Sequence, residues 1–85
     1  MKIPNPMSIN DALIELSKEL NGNYYLYYGE DKHFYTLHIL NKNTNKQKIY
    51  ILTKRVLRDC EICKRRLHKI ANDVILGEFY ERTRN

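Results

Sequence analysis

The stretch that decides the fold is residues 24–52, YYLYYGEDKHFYTLHILNKNTNKQKIYIL. Three of its runs are rich in the aromatic and β-branched residues that strands favour, and they cover residues 24–28, 33–40 and 47–52. Turn-forming residues fill the gaps at 29–32 and 41–45. Strands joined by such short loops pair antiparallel with their neighbours. The sequence therefore predicts a three-stranded antiparallel meander.

A helix is predicted before this sheet. Ser8 and Asp11 form a capping-box pattern, with Asp in place of the preferred Glu. Apolar residues then recur at helical spacing from Ile9 to Leu20. Gly22 follows, and a glycine there readily takes the left-handed conformation that ends a helix. The first helix is therefore expected to end at about residue 21.

A longer helix is predicted after the sheet, over residues 54–76, with Thr53 as its cap and Gly77 as its end. Its apolar stripe alternates spacings of four and three, as in Val56, Cys60, Cys63, Leu67, Ile70 and Val74. The order is α-β-β-β-α. We expect an α+β fold in which both helices pack on one face of the sheet, because only that arrangement buries both apolar stripes.

Length and composition set the broad class of the protein. With 85 residues the chain is expected to form a single domain over residues 1–85, with an extended lead-in at 1–7 and a tail at 78–85. There is no apolar leader and no run long enough to span a bilayer, so we expect a cytoplasmic protein without a membrane partner. The net charge of +5 favours a polyanionic partner.

Most of that charge lies on the predicted last helix. Residues 54–73 contain seven cations and three acids, so this segment carries +4 of the net +5. On a helical wheel, Lys54, Arg58, Arg65 and Lys69 lie opposite the apolar stripe, and Arg55 flanks them. Ile62 also falls on the exposed side. Such a face predicts a partner that is either nucleic acid or an acidic protein surface, although a merely solvated face has the same pattern.

The segment Lys54-Arg55-Val56-Leu57-Arg58 and the Gly29–His33 loop together resemble double-stranded RNA-binding domains. That family has the order α-β-β-β-α, a basic block at the start of its second helix and a loop with Gly and His between its first two strands. The resemblance implies that Lys54, Arg55 and Arg58 contact phosphates across a major groove. It also implies that His33 and the first helix face minor grooves, with slight sequence preference.

Side-chain alternation predicts a second candidate surface. It directs Leu26, Tyr35, Leu37, Ile39, Ile49 and Ile51 toward the helices, and Tyr25, Tyr27, Phe34, Thr36, His38, Lys48 and Tyr50 to the opposite face. Tyr-rich faces suit partner proteins, a second copy of the chain or stacked bases, and cross-strand pairs also simply stabilise sheets.

A protein-binding role is the alternative function. Small products of phages and mobile elements often inhibit or adapt a host protein, and some anti-CRISPR proteins are similar in their α-β-β-β-α layout. The residues predicted to bind such a partner are Tyr25, Tyr27, Phe34, Tyr50 and Ile62.

Chemistry at the two cysteines is not favoured. Cys60 and Cys63, with His68, have the composition of a partial zinc site. Both cysteines fall on the apolar stripe, however, where cysteine behaves as a small hydrophobic residue. The sequence has no nucleophile motif and no glycine-rich phosphate loop. We therefore predict a non-enzymatic protein without a metal, a cofactor or catalytic residues.

Overall fold

Two helices and three strands follow one another in the predicted order. The computed structural model describes the backbone of residues 5–83 and the side chains of residues 5–77. The elements are α1 (Ile9–Glu19), β1 (Tyr24–Glu30), β2 (Phe34–Asn41), β3 (Gln47–Thr53), a short 3-10 helix (Val56–Arg58) and α2 (Cys60–Thr83). The strands form one antiparallel sheet in the order β1-β2-β3, so the predicted meander is confirmed.

Helix α1 begins and ends as its sequence predicts. The Ser8 hydroxyl accepts a hydrogen bond from the backbone N–H of Asp11 at 3.1 Å, which satisfies one of the free donors of the first turn. After the helix, Asn21 and Gly22 both have positive φ, 58° and 75°. These two residues turn the chain into β1, and the conformation is unfavourable for most side chains other than Asn and Gly.

Both helices pack on the same face of the sheet, which we call the inner face. The buried core joins the lead-in, the two helices, the sheet and the 3-10 helix through Met7, Ala12, Leu16, Leu20, Leu37, Ile39, Leu52, Leu57, Cys63, Leu67, Ile70, Ala71 and Val74. Each fully buried leucine contributes about 1.5–3 kcal/mol by leaving water. The predicted α+β architecture with two helices on one face is confirmed.

Strand β3 presents the face opposite to the predicted one. Tyr50 pairs with Leu37, and Leu52 is only 1% exposed, so these alternate positions point into the core. Ile49 and Ile51, predicted to be core residues, are exposed on the other face. The pattern K-I-Y-I-L is apolar on both faces, and the buried position of Leu52 sets which one faces inward.

The start of the last helix also differs from the prediction. Residues 54–58 form a turn and the 3-10 helix, and α2 begins only at Cys60. In a continuous helix the Cys60 N–H would bond to the carbonyl of residue 56, but it donates instead to the Asn5 carbonyl at 2.7 Å. The Met7 N–H donates to the Leu57 carbonyl, also at 2.7 Å. This N-terminal strap, residues 5–7, takes over the hydrogen bonds of the interrupted helix.

Asp59 is the residue that caps α2. Its carboxylate accepts hydrogen bonds from the backbone N–H groups of Glu61 at 3.0 Å and Ile62 at 3.4 Å. Thr53, the predicted cap, accepts one long bond from Val56 N–H at 3.4 Å, and therefore supports the 3-10 helix rather than α2.

The far end of α2 also lies beyond its predicted position. The helix continues past Gly77 to Thr83, so the predicted end at residue 76 is wrong. A glycine within a helix costs only about 1 kcal/mol relative to alanine and need not end it. The space left by the absent side chain of Gly77 is filled by the amine of Lys48, which reaches across from the inner face of β3.

Candidate functional site

A basic groove lies at the end of the sheet where the β1–β2 turn meets the segment after β3. It is open to solvent, has a volume of about 590 Å³ and is lined by Lys32, His33, Thr53, Lys54, Arg55 and Arg58. The structure thus brings together four of the predicted binding residues, His33, Lys54, Arg55 and Arg58. Lys32 and Thr53 were not predicted to belong to the site, and only the strand pairing reveals that they do.

The pairing of β2 with β3 holds the two sides of this groove together. Phe34 lies opposite Thr53 in the sheet, and just beyond them the backbone N–H of Lys54 donates to the carbonyl of His33 at 3.0 Å. The N–H of Arg58 donates to the carbonyl of Arg55 at 3.2 Å, which closes the 3-10 turn. Backbone hydrogen bonds therefore fix the main chain at Lys54 and Arg58, while the side chains of Lys32, Arg55 and Arg58 are exposed.

One of the four cations is already paired. Lys54 Nζ lies 2.7 Å from Glu30 Oε2 and 5.3 Å from the centre of the Tyr35 ring. The hydrogen bond to Glu30 raises the pKa of Lys54, so its ammonium stays charged through the neutral range. Among the residues that the structure describes, Arg55 and Arg58 have no acidic partner. The same holds for the ammonium of Lys32, so Lys32, Arg55 and Arg58 are the available cations of the groove.

The basic block does not occupy the first turn of a helix. Lys54 and Arg55 lie in the turn after β3, and Arg58 ends the 3-10 helix. The first turn of α2 carries Glu61 instead, next to the Asp59 cap. The sequence predicts these cations at the start of the last helix, where positive side chains oppose the helix dipole. The interruption of the helix removes that conflict, and acidic side chains stand at the start of α2.

The other two predicted cations are separate from the groove. Arg65 and Lys69 are exposed on α2, but neither lines the groove. Ile62 is 49% exposed on the same helix, as expected. Lys64 lies on a different, mixed-charge groove beside Asp11. The cations of the last helix therefore do not form one continuous surface with Lys54.

The outer face of the sheet, opposite the helices, is the second candidate surface. By strand alternation and register it carries Tyr25, Tyr27, Gly29, Phe34, Thr36, His38, Leu40, Gln47, Ile49, Ile51 and Thr53. Tyr25 and Tyr27 are exposed as predicted, and Phe34 is half-buried. Ile49 and Ile51 were missed, because a pattern with apolar residues on both faces does not show which set is buried.

Tyr50 does not belong to this outer face, so its predicted role in partner binding is wrong. Its ring is half-buried on the inner face, and its hydroxyl donates to Asp73 Oδ2 of α2 at 2.5 Å. Burial, and then the bond to Asp73, raise the pKa of Tyr50 above its usual value. Lys48 likewise lies on the inner face rather than the outer one. If β3 faced the other way, Ile49 or Ile51 would stand on this side of the sheet, and an isoleucine has no polar group to bond to the Asp73 carboxylate.

The polar side chains of the outer face are bonded to one another. Gln47 Nε2 donates to Tyr27 Oη at 2.7 Å and lies 2.8 Å from His38 Nδ1. His38 Nε2 lies 3.2 Å from Thr36 Oγ1, and the Tyr27 and His38 rings stack with their centres 4.6 Å apart. Thr36 Oγ1 in turn lies 3.5 Å from the carbonyl of Gly29, a long contact. A chain of hydrogen bonds therefore crosses the sheet on this face.

The two cysteines lie against the core, as their spacing predicted. Cys63 is fully buried and Cys60 half-buried, and burial raises the pKa of the Cys63 thiol to about 11. His68 pairs instead with Glu19 of α1, with Nδ1 and Oε2 2.8 Å apart. Among the residues described, no three His, Cys, Asp or Glu side chains are grouped so as to hold a metal ion.

A search for membrane-spanning helices and three comparisons with known proteins complete the description of the site. Within residues 5–83, no helix combines the length and the apolar character that crossing a bilayer requires. Comparison of the chain with protein-family models, curated proteins and solved structures gives no match, so the resemblance to double-stranded RNA-binding domains stays a prediction.

Proposed function

We propose that this protein is a small, non-enzymatic nucleic-acid-binding domain whose basic groove contacts the phosphate backbone of a duplex. One observation carries the proposal: Lys32, Lys54, Arg55 and Arg58 come from two separate segments and line one open groove. Binding that depends on the phosphate backbone needs several cations on one surface and no deep pocket for a base.

The side chains of the groove suit phosphate. Guanidinium groups bind phosphate oxygens through paired N–H donors, and both Arg55 and Arg58 are exposed. Lys54 already forms an ion pair with Glu30. The neighbouring Asp31 carboxylate accepts a hydrogen bond from the backbone N–H of Lys32 at 2.6 Å. These two acids reduce the local charge, which favours moderate affinity over tight binding.

The number of cations sets the expected salt dependence. With three to four phosphate contacts, the logarithm of the association constant should fall with the logarithm of salt concentration with a slope of about −3 to −4. Arg65 and Lys69 lie outside the groove, so in this proposal they touch the backbone of a longer duplex and contribute less. Because phosphates carry no sequence information, we expect little sequence preference.

The experiment compares three double variants that change the net charge equally. Fluorescence anisotropy is measured with labelled duplex RNA, duplex DNA and single-stranded RNA of about 20 nucleotides, a length that covers the roughly 16 base pairs spanned by a double-stranded RNA-binding domain. The variant Arg55→Glu/Arg58→Glu alters the groove, and Arg65→Glu/Lys69→Glu alters the exposed side of α2. Lys64→Glu/Arg66→Glu is the matched control for charge alone.

We expect the groove variant to lose at least about tenfold in affinity for duplex and to flatten the salt slope by about two, because two phosphate contacts are lost. The control should change affinity much less. Equal losses in all three variants would show that net charge alone drives binding and would refute the groove. If no polymer binds at low salt, the proposal fails, and an acidic protein surface becomes the favoured partner for the same cations.

A further inference from the structure

The outer face exposes large apolar side chains that are not part of the buried core. The exposed fractions are 58% for Tyr25, 46% for Tyr27, 57% for Ile49 and 63% for Ile51. Single exposed hydrophobic residues are ordinary, but these four stand on one side of one sheet, and Ile49 and Ile51 are alternate residues of an edge strand. Thr36 and His38 of β2 separate the tyrosines from the isoleucines, but this many large apolar side chains exposed on one side of a sheet still indicates an interaction surface.

No side chain of this face carries a formal charge. The chain has a net charge of +5, yet the residues that form the outer face include no Asp, Glu, Lys or Arg. At the rim of the face, the Nζ of Lys42 lies 4.6 Å from the centre of the Tyr25 ring. A neutral face offers no charge complementarity to nucleic acid or to an acidic partner. It does allow two highly basic chains to meet without bringing their cations together.

The polar groups of the outer face already have hydrogen-bond partners within that face. Both ring nitrogens of His38 lie within hydrogen-bonding distance of neighbours, Gln47 on one side and Thr36 on the other. Covering a polar group costs free energy mainly when it loses water without gaining a partner. Because these groups already bond to one another, an apolar surface can cover them at low cost.

We propose that a second copy of this chain covers the outer face, so that two sheets pack face to face between two outer layers of helices. Sheets stack in this way at about 10 Å and within about 30° of alignment. The partner must be neutral and flat and must expose apolar side chains, and an identical outer face meets each requirement. This inference does not depend on the proposed binding of nucleic acid.

The size of the face limits the strength of such a dimer. Three strands about 4.8 Å apart and seven to eight residues long, at about 3.3 Å per residue, cover roughly 14 by 25 Å. Such a face measures about 350 Å² on each copy, so a dimer would bury roughly 700 Å² of sheet face in total, less than the approximately 1,200–2,000 Å² of stable specific interfaces. We therefore expect a weak, transient dimer with a dissociation constant on the order of 100 µM rather than an obligate one.

Sedimentation equilibrium of the full chain tests this, from about 10 µM to 1 mM, a range chosen to bracket the expected dissociation constant. The buffer contains about 0.5 M salt to screen polyanion bridging. The wild type should rise from its 10.2 kDa monomer mass toward twice that value, about 20 kDa. Ile51→Lys and Ile49→Lys each place a charge on the outer face. Ile14→Lys is the matched control, because Ile14 is 54% exposed on α1, away from the sheet.

We expect Ile51→Lys and Ile49→Lys to stay monomeric, with the native far-ultraviolet circular dichroism spectrum, while Ile14→Lys dimerises like the wild type. Two separate substitutions are used so that unfolding of one does not decide the result. A wild type that remains monomeric at 1 mM overturns the proposal. So does a dimer that survives both outer-face substitutions, or one that Ile14→Lys disrupts equally.

Discussion

Replacing Asp59 with alanine removes the side chain that caps α2, and its cost can be estimated from the two bonds it makes. The carboxylate accepts the N–H groups of Glu61 at 3.0 Å and Ile62 at 3.4 Å. Loss of such a cap costs about 0.5–2 kcal/mol. The negative charge at the helix start adds about 0.3–1 kcal/mol. Because the second bond is long, we expect the sum to fall at about 1–2 kcal/mol.

Urea unfolding followed by circular dichroism measures this loss. A chain of this size has a total stability of roughly 4–13 kcal/mol, so the midpoint should move clearly while the slope stays the same. The melting temperature should fall by about 4–8 °C for each kcal/mol. Asp59→Asn keeps the acceptor and loses only the charge, so its cost should be less than half that of Asp59→Ala.

Thr53→Ala is the control, because the sequence alone makes Thr53 the cap. Its hydroxyl accepts one bond of 3.4 Å and supports only the 3-10 turn, so we expect a cost below about 0.5 kcal/mol. If Thr53→Ala destabilised the protein as much as Asp59→Ala, the helix would begin where the sequence pattern places it. The interruption at residue 59 would then be refuted.

Three further predictions concern the sheet and the core. Tyr50→Phe should cost about 0.5–1.5 kcal/mol in urea unfolding by removing the bond to Asp73. The raised pKa of Tyr50 means that the folded protein holds this proton more tightly, so wild-type stability should fall as the pH rises above about 10, and more steeply than in the variant. An added Cβ at Gly29 would lie 2.8 Å from Thr36 Oγ1, so Gly29→Ala should destabilise the wild type but stabilise a Thr36→Ala background, and the same sign in both would contradict this clash. Cys63 should react with a thiol reagent only at the rate of unfolding, and rapid labelling of Cys63 itself, distinguished by peptide mapping from the half-buried Cys60, would show that it is not buried.

The sequence predicts the elements of this fold better than their ends and faces. Element order and the buried Cys63 follow from local periodicity, the Ser8 cap follows from the capping-box pattern, and all three are confirmed. The face of β3 does not follow, because both sets of alternate side chains are apolar. The true start of α2 depends on the Asn5 carbonyl, which is distant in sequence and absent from any local pattern.

In the candidate site, too, the sequence predicts some features and not others. The cations at positions 54, 55 and 58 are visible as a charge cluster, but their role as one wall of a groove is not. The other wall, Lys32 and His33, joins them only through strand pairing and one backbone bond between distant residues. Periodicity contains no information about such pairings, and for that reason Lys32 was missed.

The N-terminal strap affects the order in which parts of the protein fold during synthesis. Residues 5–7 leave the ribosome well before the groups they bond, which are the Leu57 carbonyl and the Cys60 N–H. Contacts between such distant residues form slowly, because a long loop must close first. Arg55 and Arg58 lie in the segment that ends at these bonds. The groove therefore acquires its final shape only when the N-terminal strap has bonded to this segment.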